Sequence, residues 1–273
     1  ISTWVQPLYS IVNTRLASGI EGGVAALNYA NRLYIVVTGV FSFVVTNLVF
    51  PKLSRADSSD DKEEAKKLLC TSLKAVCLVI LPIAVLFFLL SEPIIAFVYE
   101  RGAFTAQDTA KVAGALGCYS VGMLGLAINE VLSKAFFSRK DSKTPMVTAV
   151  ISMLFNILLA LTLVGGLGIA GLALASAGGS ITNAVLNAIF MRRRDGKLLS
   201  KTDLFDFVKM LLSAALAAIP VYLLSRFLTA HLSRGFVNSF IVCALSSLAG
   251  LFVYALALLL TRESEIAGLI KKK

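Results

Sequence analysis

A chain of 273 residues with 57% apolar and only 15% charged side chains falls well short of the roughly 25% charge of soluble domains, and its mean hydropathy of +0.82 excludes a water-soluble globule. Disorder, collagen and a disulfide scaffold are excluded as well, since the 19 glycines keep no period and there are four cysteines. The net charge of +10 (26 basic minus 16 acidic) raises the question of nucleic acid, which the placement of the charges answers below.

Charge-free blocks as long as a bilayer is thick mark the elements. Thr3 to Gly19 is the weakest, because Arg15 lies inside it, yet it spans if that arginine reaches an interface or a wet cavity. Leu33 to Val49, Ala75 to Ser91 and Val112 to Asn129 follow as uninterrupted runs. Thr144 to Met191 is charge-free over 48 residues, too long for one span, and Gly165, Gly166, Gly168 and Gly171 near its middle predict two helices joined by a tight turn. Met210 to Ser225 and Gly235 to Thr261 complete the set. The fold class expected is all-α and integral to the membrane, with eight transmembrane helices. The charged link that begins at Arg192 divides the chain into a six-helix lobe, residues 1–191, and a two-helix C-terminal appendage, residues 192–273. A first span that begins within two residues of Ile1 leads us to expect the C-terminal part, one lobe, of a longer protein.

With eight spans the loops alternate sides, and 20 of the 26 basic residues fall on one of them. That side holds Lys52 to Lys74, Lys134 to Lys143, Arg192 to Lys209, and Arg262 with Lys271 to Lys273, whereas Arg15, Arg32, Arg101, Lys111, Arg226 and Arg234 lie opposite. By the positive-inside rule the first side is cytoplasmic, as are both chain ends. The basic excess is therefore topology, with attraction to anionic membrane lipids, and no nucleic-acid partner is expected because the clusters lack interleaved aromatics.

Soluble catalytic motifs are scarce, and no enzyme activity is expected. His231 is the only histidine, and Cys70, Cys77, Cys118 and Cys243 form no Cys-x-x-Cys pair, so neither a triad nor a metal site is expected. Gly166-x-Gly168-x-x-Gly171 matches a dinucleotide fingerprint but lies between two membrane spans rather than in a βαβ unit. No phosphate loop is present.

Polar stripes within the spans carry more. In lipid a polar side chain must face a partner helix or a wet cavity. Gln6, Ser10 and Asn13 form one stripe; Asn28, Arg32, Gly39, Ser42 and Thr46 a second; Thr148, Ser152 and Asn156 a third; Ser176, Ser180, Asn183 and Asn187 a fourth. The fourth span offers Gly114, Gly117, Gly122 and Gly125, then Asn129, Glu130 and Ser133. Such steps place residues on one helical face. Helix packing through small residues accounts for some of them; the asparagines and Arg32 point instead to a hydrated cavity, as a transporter of a polar group needs. The candidate cavity residues are Arg32, Asn28, Asn13, Asn156, Ser176 and Asn183. Arg32, with no acid three or four residues away, either snorkels to an interface or acts as an anion clamp whose fork grips phosphate oxygens. Glu130 with Lys134 reads as an i,i+4 pair, and the last two spans, with few polar residues, as lipid-facing.

Asn28-Tyr29-Ala30-Asn31-Arg32-Leu33, Phe50-Pro51-Lys52-Leu53-Ser54, Glu100-Arg101-Gly102-Ala103-Phe104-Thr105, Ser138-Arg139-Lys140-Asp141-Ser142-Lys143-Thr144-Pro145 and Ala170-Gly171-Leu172-Ala173-Leu174-Ala175 resemble, in order and spacing, the C-terminal half of the MurJ (MviN) lipid II flippase family. The resemblance implies a fourteen-helix fold of the multidrug/oligosaccharidyl-lipid/polysaccharide exporter superfamily, with this chain holding helices seven to fourteen. It implies movement of lipid II, the undecaprenyl-pyrophosphate-linked disaccharide pentapeptide, across the bacterial cell membrane by alternating access of two lobes without ATP. Arg32 matches a cavity arginine that holds the pyrophosphate, and the last two helices match a groove for the lipid tail. The missing N-terminal lobe is then a partner. The sequence departs from the family at Val37-Thr38-Gly39, where a proline-containing turn is frequent, at Asn13, where aspartate is common, and at Glu130, where a basic residue occurs. The lost carboxylate weakens any coupling cation site among Asn13, Asn156 and Ser176, and no other cofactor is implied. A drug or polysaccharide exporter of the same superfamily is the alternative, as is a non-transporting scaffold.

Overall fold

The structure, a computed structural model, describes residues 11–58, 62–196 and 200–260. Among these every regular element is helical. Residues 11–17 (α1) lead through a turn at Gly22 into α2 (Gly23–Val44), a π turn (Val45–Val49) and α3 (Phe50–Ser58). Then come α4 (Lys62–Leu89), α5 (Ser91–Tyr99), α6 (Ala106–Ser138), α7 (Lys143–Asp195), α8 (Lys201–His231) and α9 (Phe236–Leu260).

Six of the helical stretches are long and apolar enough to cross a membrane. The longest, α7 at 53 residues, folds back on itself at Gly168, whose φ of 55° and ψ of −128° suit glycine alone. Its two arms pack antiparallel. Thr148 bonds Asn187, and an added Cβ would meet Asn156 from Gly179 and Leu163 from Gly171. The hairpin expected from the glycine cluster is therefore present, and seven passes lie among the described residues. The first part of the first expected span, residues 3–10 with Gln6 and Ser10, lies outside them, as do the basic residues beyond Leu260.

Local chemistry sets the boundaries. The Thr105 hydroxyl accepts from the Asp108 amide while the Asp108 carboxylate accepts from the Thr105 amide, a capping box that starts α6. Ser200 and Asp203 form the same device at α8. At the π turn the cause is Pro51: without an N–H it cannot bond the Asn47 carbonyl, and the helix absorbs the defect one turn earlier by widening. Pro82 makes the same kind of break inside α4, and the freed Leu78 carbonyl accepts from the Tyr254 hydroxyl of α9 at 2.9 Å. In a membrane a carbonyl left without a donor is unfavourable, so this cross-helix bond helps fix where α9 can sit. The helix α5 was not expected; its signal is Glu92-Pro93 in a first turn, short of membrane length.

The most buried helix is α6. Its Gly122 and Gly125 lie against Ala177 and Ile181 of the second α7 arm, where an added Cβ would come within 2.6 and 2.8 Å of the neighbouring Cα atoms. These glycines are close-packing residues, not a wet face. One hydrophobic cluster joins α2, α4, α6 and α7; a second, around Cys77, Leu81, Met210, Ala214, Tyr254 and Leu258, joins α8 and α9 to α4. Lys74 of α4 sits 2.6 Å from Asp203 and 2.7 Å from Asp206 of α8. Along their outward faces α8 and α9 expose Leu212, Ile219, Leu223, Phe252 and Leu260, as lipid-facing helices do.

Candidate functional site

Between α2 and the α7 hairpin, with α6 as its floor, lies a half-open cleft of about 840 Å³. Its polar lining comes from every neighbouring element: Asn13 and Thr14 from α1, Asn28, Asn31 and Thr38 from α2, Asn129, Glu130, Ser133 and Lys134 from α6, and Ser152, Asn156, Ser176, Ser180 and Asn183 from the two arms of α7. Tyr34 and Tyr119 also line it, stacked with ring centroids 5.3 Å apart. The volume is that of a site for a sizeable polar group.

Of the residues expected from sequence, Asn13, Asn28, Asn156, Ser176 and Asn183 line the cleft together. Arg32 does not. Each residue turns an α-helix by 100°, which sets Arg32 about 40° from Asn28 on one side and about 60° from Tyr29 on the other. It stands exposed on the seam between two faces of α2, close enough for its charge to oppose the burial that pushes the Tyr99 phenol up. Asn31 takes the place in the cleft that the step of four gave to Arg32. A step of three from Asn28 identifies it, followed by Tyr34, Thr38 and the rest of that face.

Two polar groupings lie along the cleft. Toward the Gly168 turn, the Asn13 amide donates to the Ser176 hydroxyl at 3.2 Å, while the side-chain oxygens of Asn13 and Asn156 are buried with no partner among the described residues. Toward the other end, Asn187 is fully buried. It accepts from Thr148 at 2.9 Å and donates to Asn129 at 2.6 Å and Asn183 at 3.4 Å. Asn187 and Thr148, members of two sequence stripes, thus form the hub that ties both arms of α7 to α6. Glu130 pairs with Lys134 at 3.6 Å, as the i,i+4 spacing indicates.

Below the hub the loop at 139–142 is clamped. Arg139 pairs with Asp195, and Asp141 accepts from Arg194 at 3.1 Å and from Thr144 at 2.8 Å. Burial pushes the Asp141 carboxyl up, but the bonds from Thr144 and the Arg194 charge outweigh it and hold the group below the usual carboxylate range. Among the described residues no group of three or more His, Cys, Asp or Glu side chains converges on a metal position.

The family model for lipid II flippase MurJ matches residues 1–244. A probable lipid II flippase MurJ of Rhizobium tropici is 35% identical over 228 residues, 83% of this chain and 43% of that protein. One from Treponema pallidum is 33% identical over 232 residues, 84% of this chain and 44% of the relative. The chain thus spans about half the length of the curated relatives it matches. Among solved structures, a lipid II flippase MurJ in an inward closed conformation superposes with a TM-score of 0.80 at 26% identity, over 97% of this chain and 53% of that one. An outward-facing multidrug resistance MATE transporter of the MOP superfamily follows at a TM-score of 0.60 and 17% identity, and shares the fold.

Proposed function

Because the chain belongs to the MurJ lipid II flippase family, we propose that this multi-pass membrane protein forms one wall of a path along which the headgroup of lipid II crosses from the inner to the outer leaflet. The observation that carries this reading is the polar cleft: asparagines, serines and paired tyrosines open to one side of an otherwise apolar bundle. A second lobe supplies the facing wall, and rocking of the two lobes exposes the cleft to each side in turn. The polyprenyl tail stays in lipid, against the apolar faces of α8 and α9. We read residues 1–191 as the transporting lobe and 192–273 as the appendage, with the basic loops and both chain ends in the cytoplasm of a bacterium.

Chemically the cleft offers neutral donors and acceptors in quantity and one cation, Lys134, already paired. It suits sugar and peptide amides better than a bare pyrophosphate. Arg32 on the seam, without an ion-pair partner among the described residues, supplies a guanidinium, and its task in this reading is to grip phosphate oxygens as the headgroup passes the middle of α2. The work is displacement, with no bond made or broken, so no enzymatic role is assigned. A coupling cation has an all-oxygen candidate set in the two orphaned amide oxygens of Asn13 and Asn156 with the Ser176 hydroxyl. The set fits a monovalent ion by atom type and holds no negative charge, which makes a weak site.

The test is depletion of the resident flippase in a bacterium followed by complementation with the whole gene that encodes this chain. The intact gene restores growth; Arg32→Ala, present at normal membrane levels, does not, and Arg32→Lys restores little. Full rescue by the alanine variant would remove Arg32 from the path, and failure of the intact gene would sink the flippase reading.

A further inference from the structure

The face of α2 turned away from the cleft opens onto a second cavity of about 500 Å³. It is lined by Tyr29 from α2, Tyr99 from the end of α5, Arg101 and Phe104 from the following turn, and Asp108 and Lys111 from the start of α6. It lies at the end of the bundle that carries the Gly22 and Gly102 turns, opposite the basic loops. The three rings form one half-buried cluster: Tyr29 to Tyr99 at 4.8 Å, Tyr29 edge-on to Phe104 at 5.6 Å, Tyr99 to Phe104 at 5.9 Å. The carboxylates nearby are engaged. Asp108 accepts from the Thr105 amide and hydroxyl, and Glu100 accepts from the Thr109 hydroxyl at 2.7 Å. Glu21, exposed in the preceding turn, stays outside the lining. Arg101 and Lys111 are exposed at the rim, and Arg32 reaches this side by its proximity to Tyr99.

We propose that this pocket is a second binding site, for a sugar that bears a phosphate group. Aromatic faces take the apolar C–H face of a pyranose ring, and the guanidinium and ammonium at the rim take the phosphate oxygens through charge-assisted bonds. No such combination occurs in the central cleft, whose cation is paired and whose tyrosines stack on each other. Arg32 lines neither cavity but stands exposed on the seam of α2 between them, so a headgroup leaving the cleft at this end passes a cationic contact before its sugar reaches the ring cluster. This rests on the flippase reading for its direction of travel, although the pocket's chemistry stands apart from it.

The probe is N-acetylglucosamine 1-phosphate, added to the whole gene product in nanodiscs and read by saturation transfer to the sugar ring protons. Transfer is expected for the sugar phosphate and much weaker for N-acetylglucosamine or inorganic phosphate alone. Phe104→Leu, which keeps the packing volume, and the pair Arg101→Gln with Lys111→Gln should each weaken binding roughly tenfold, while Thr229→Ala, exposed on α8 and lining neither cavity, leaves it unchanged. A citronellyl-pyrophosphate-linked form that displaces the probe at lower concentration than the soluble sugar phosphate assigns the site to a lipid headgroup; equal displacement assigns it to a soluble sugar phosphate. Loss of signal in the cleft variant Asn183→Ala with no effect of the pocket variants would overturn the proposal and leave the flippase reading standing, and absence of transfer in the intact protein would overturn it too. Failure of complementation alongside intact, pocket-dependent transfer would strike only the flippase reading.

Discussion

Asn187 and Asn183 differ by one helical turn and by what surrounds them. The first is fully buried and satisfied by Thr148, Asn129 and Asn183; the second opens into the cleft. Sequence spacing placed both on one stripe, because a period of 3.6 fixes a direction but not the distance to the next helix. The difference is measurable. Cysteines introduced at Asn28 and Asn183 should react within minutes with a membrane-impermeant thiol reagent in open vesicles, and a cysteine at Thr148 should not. Equal protection at all three positions would mean a dry, closed bundle. Arg32 shows the same limit from the other side. Its charge and isolation were legible, and its helix was correct, yet the step of four that joined it to Asn28 put it on the edge of the face rather than within it. Asn31, less conspicuous as a neutral residue beside an arginine, holds the interior place.

At the scale of elements, the hydrophobic runs were legible because a bilayer imposes a minimum length, and the glycine cluster marked the α7 hairpin because only glycine takes the backbone angles of Gly168. The helix α5 was not legible, since nine residues at the rim of the bundle neither span nor alternate. Partners across helices were hidden as well. Nothing local in α9 states that Tyr254 answers the proline of α4. Tyr254→Phe leaves the Leu78 carbonyl without its donor in an apolar layer, and we expect a loss of about 1 kcal/mol, read as a lower melting temperature in detergent with cleft accessibility unchanged. No shift in melting would show that water or a neighbouring group reaches that carbonyl freely.

For the whole molecule, α4 is the mast on which the last two helices hang. Lys74 holds α8 through Asp203 and Asp206, and one turn on the Leu78 carbonyl holds α9. Removing the lysine leaves two carboxylates side by side in a poorly hydrated joint, with only Lys209 at 3.9 Å from Asp206 as a remaining cation among the described residues, which costs more than the lost pair itself. Lys74→Met should therefore release α8 and α9 from the lobe, detected as faster proteolysis at the 196–200 link. Adding Asp203→Asn and Asp206→Asn to it should restore much of the resistance. If the single variant resists cleavage like the parent, the apolar cluster around Met210 and Tyr254 suffices to hold the joint. The asymmetry of basic loops on which the expected topology rests is visible in the sequence, whereas this joint depends on residues 132 apart.

The π turn ahead of Pro51 has one more effect. A helix that carries one residue more than an α-turn requires runs out of phase beyond that point, so the side chains of α3 are rotated by about 100° from where an unbroken α2 would have aimed them. The orientation of Lys52 and Arg55 toward the loop end is thus decoupled from the orientation of Asn28 and Asn31 toward the cleft. Selection can re-aim the basic end by moving or removing that single surplus residue while the cleft face stays as it is, and the chain has at Val45–Val49 a place where length is exchanged for direction.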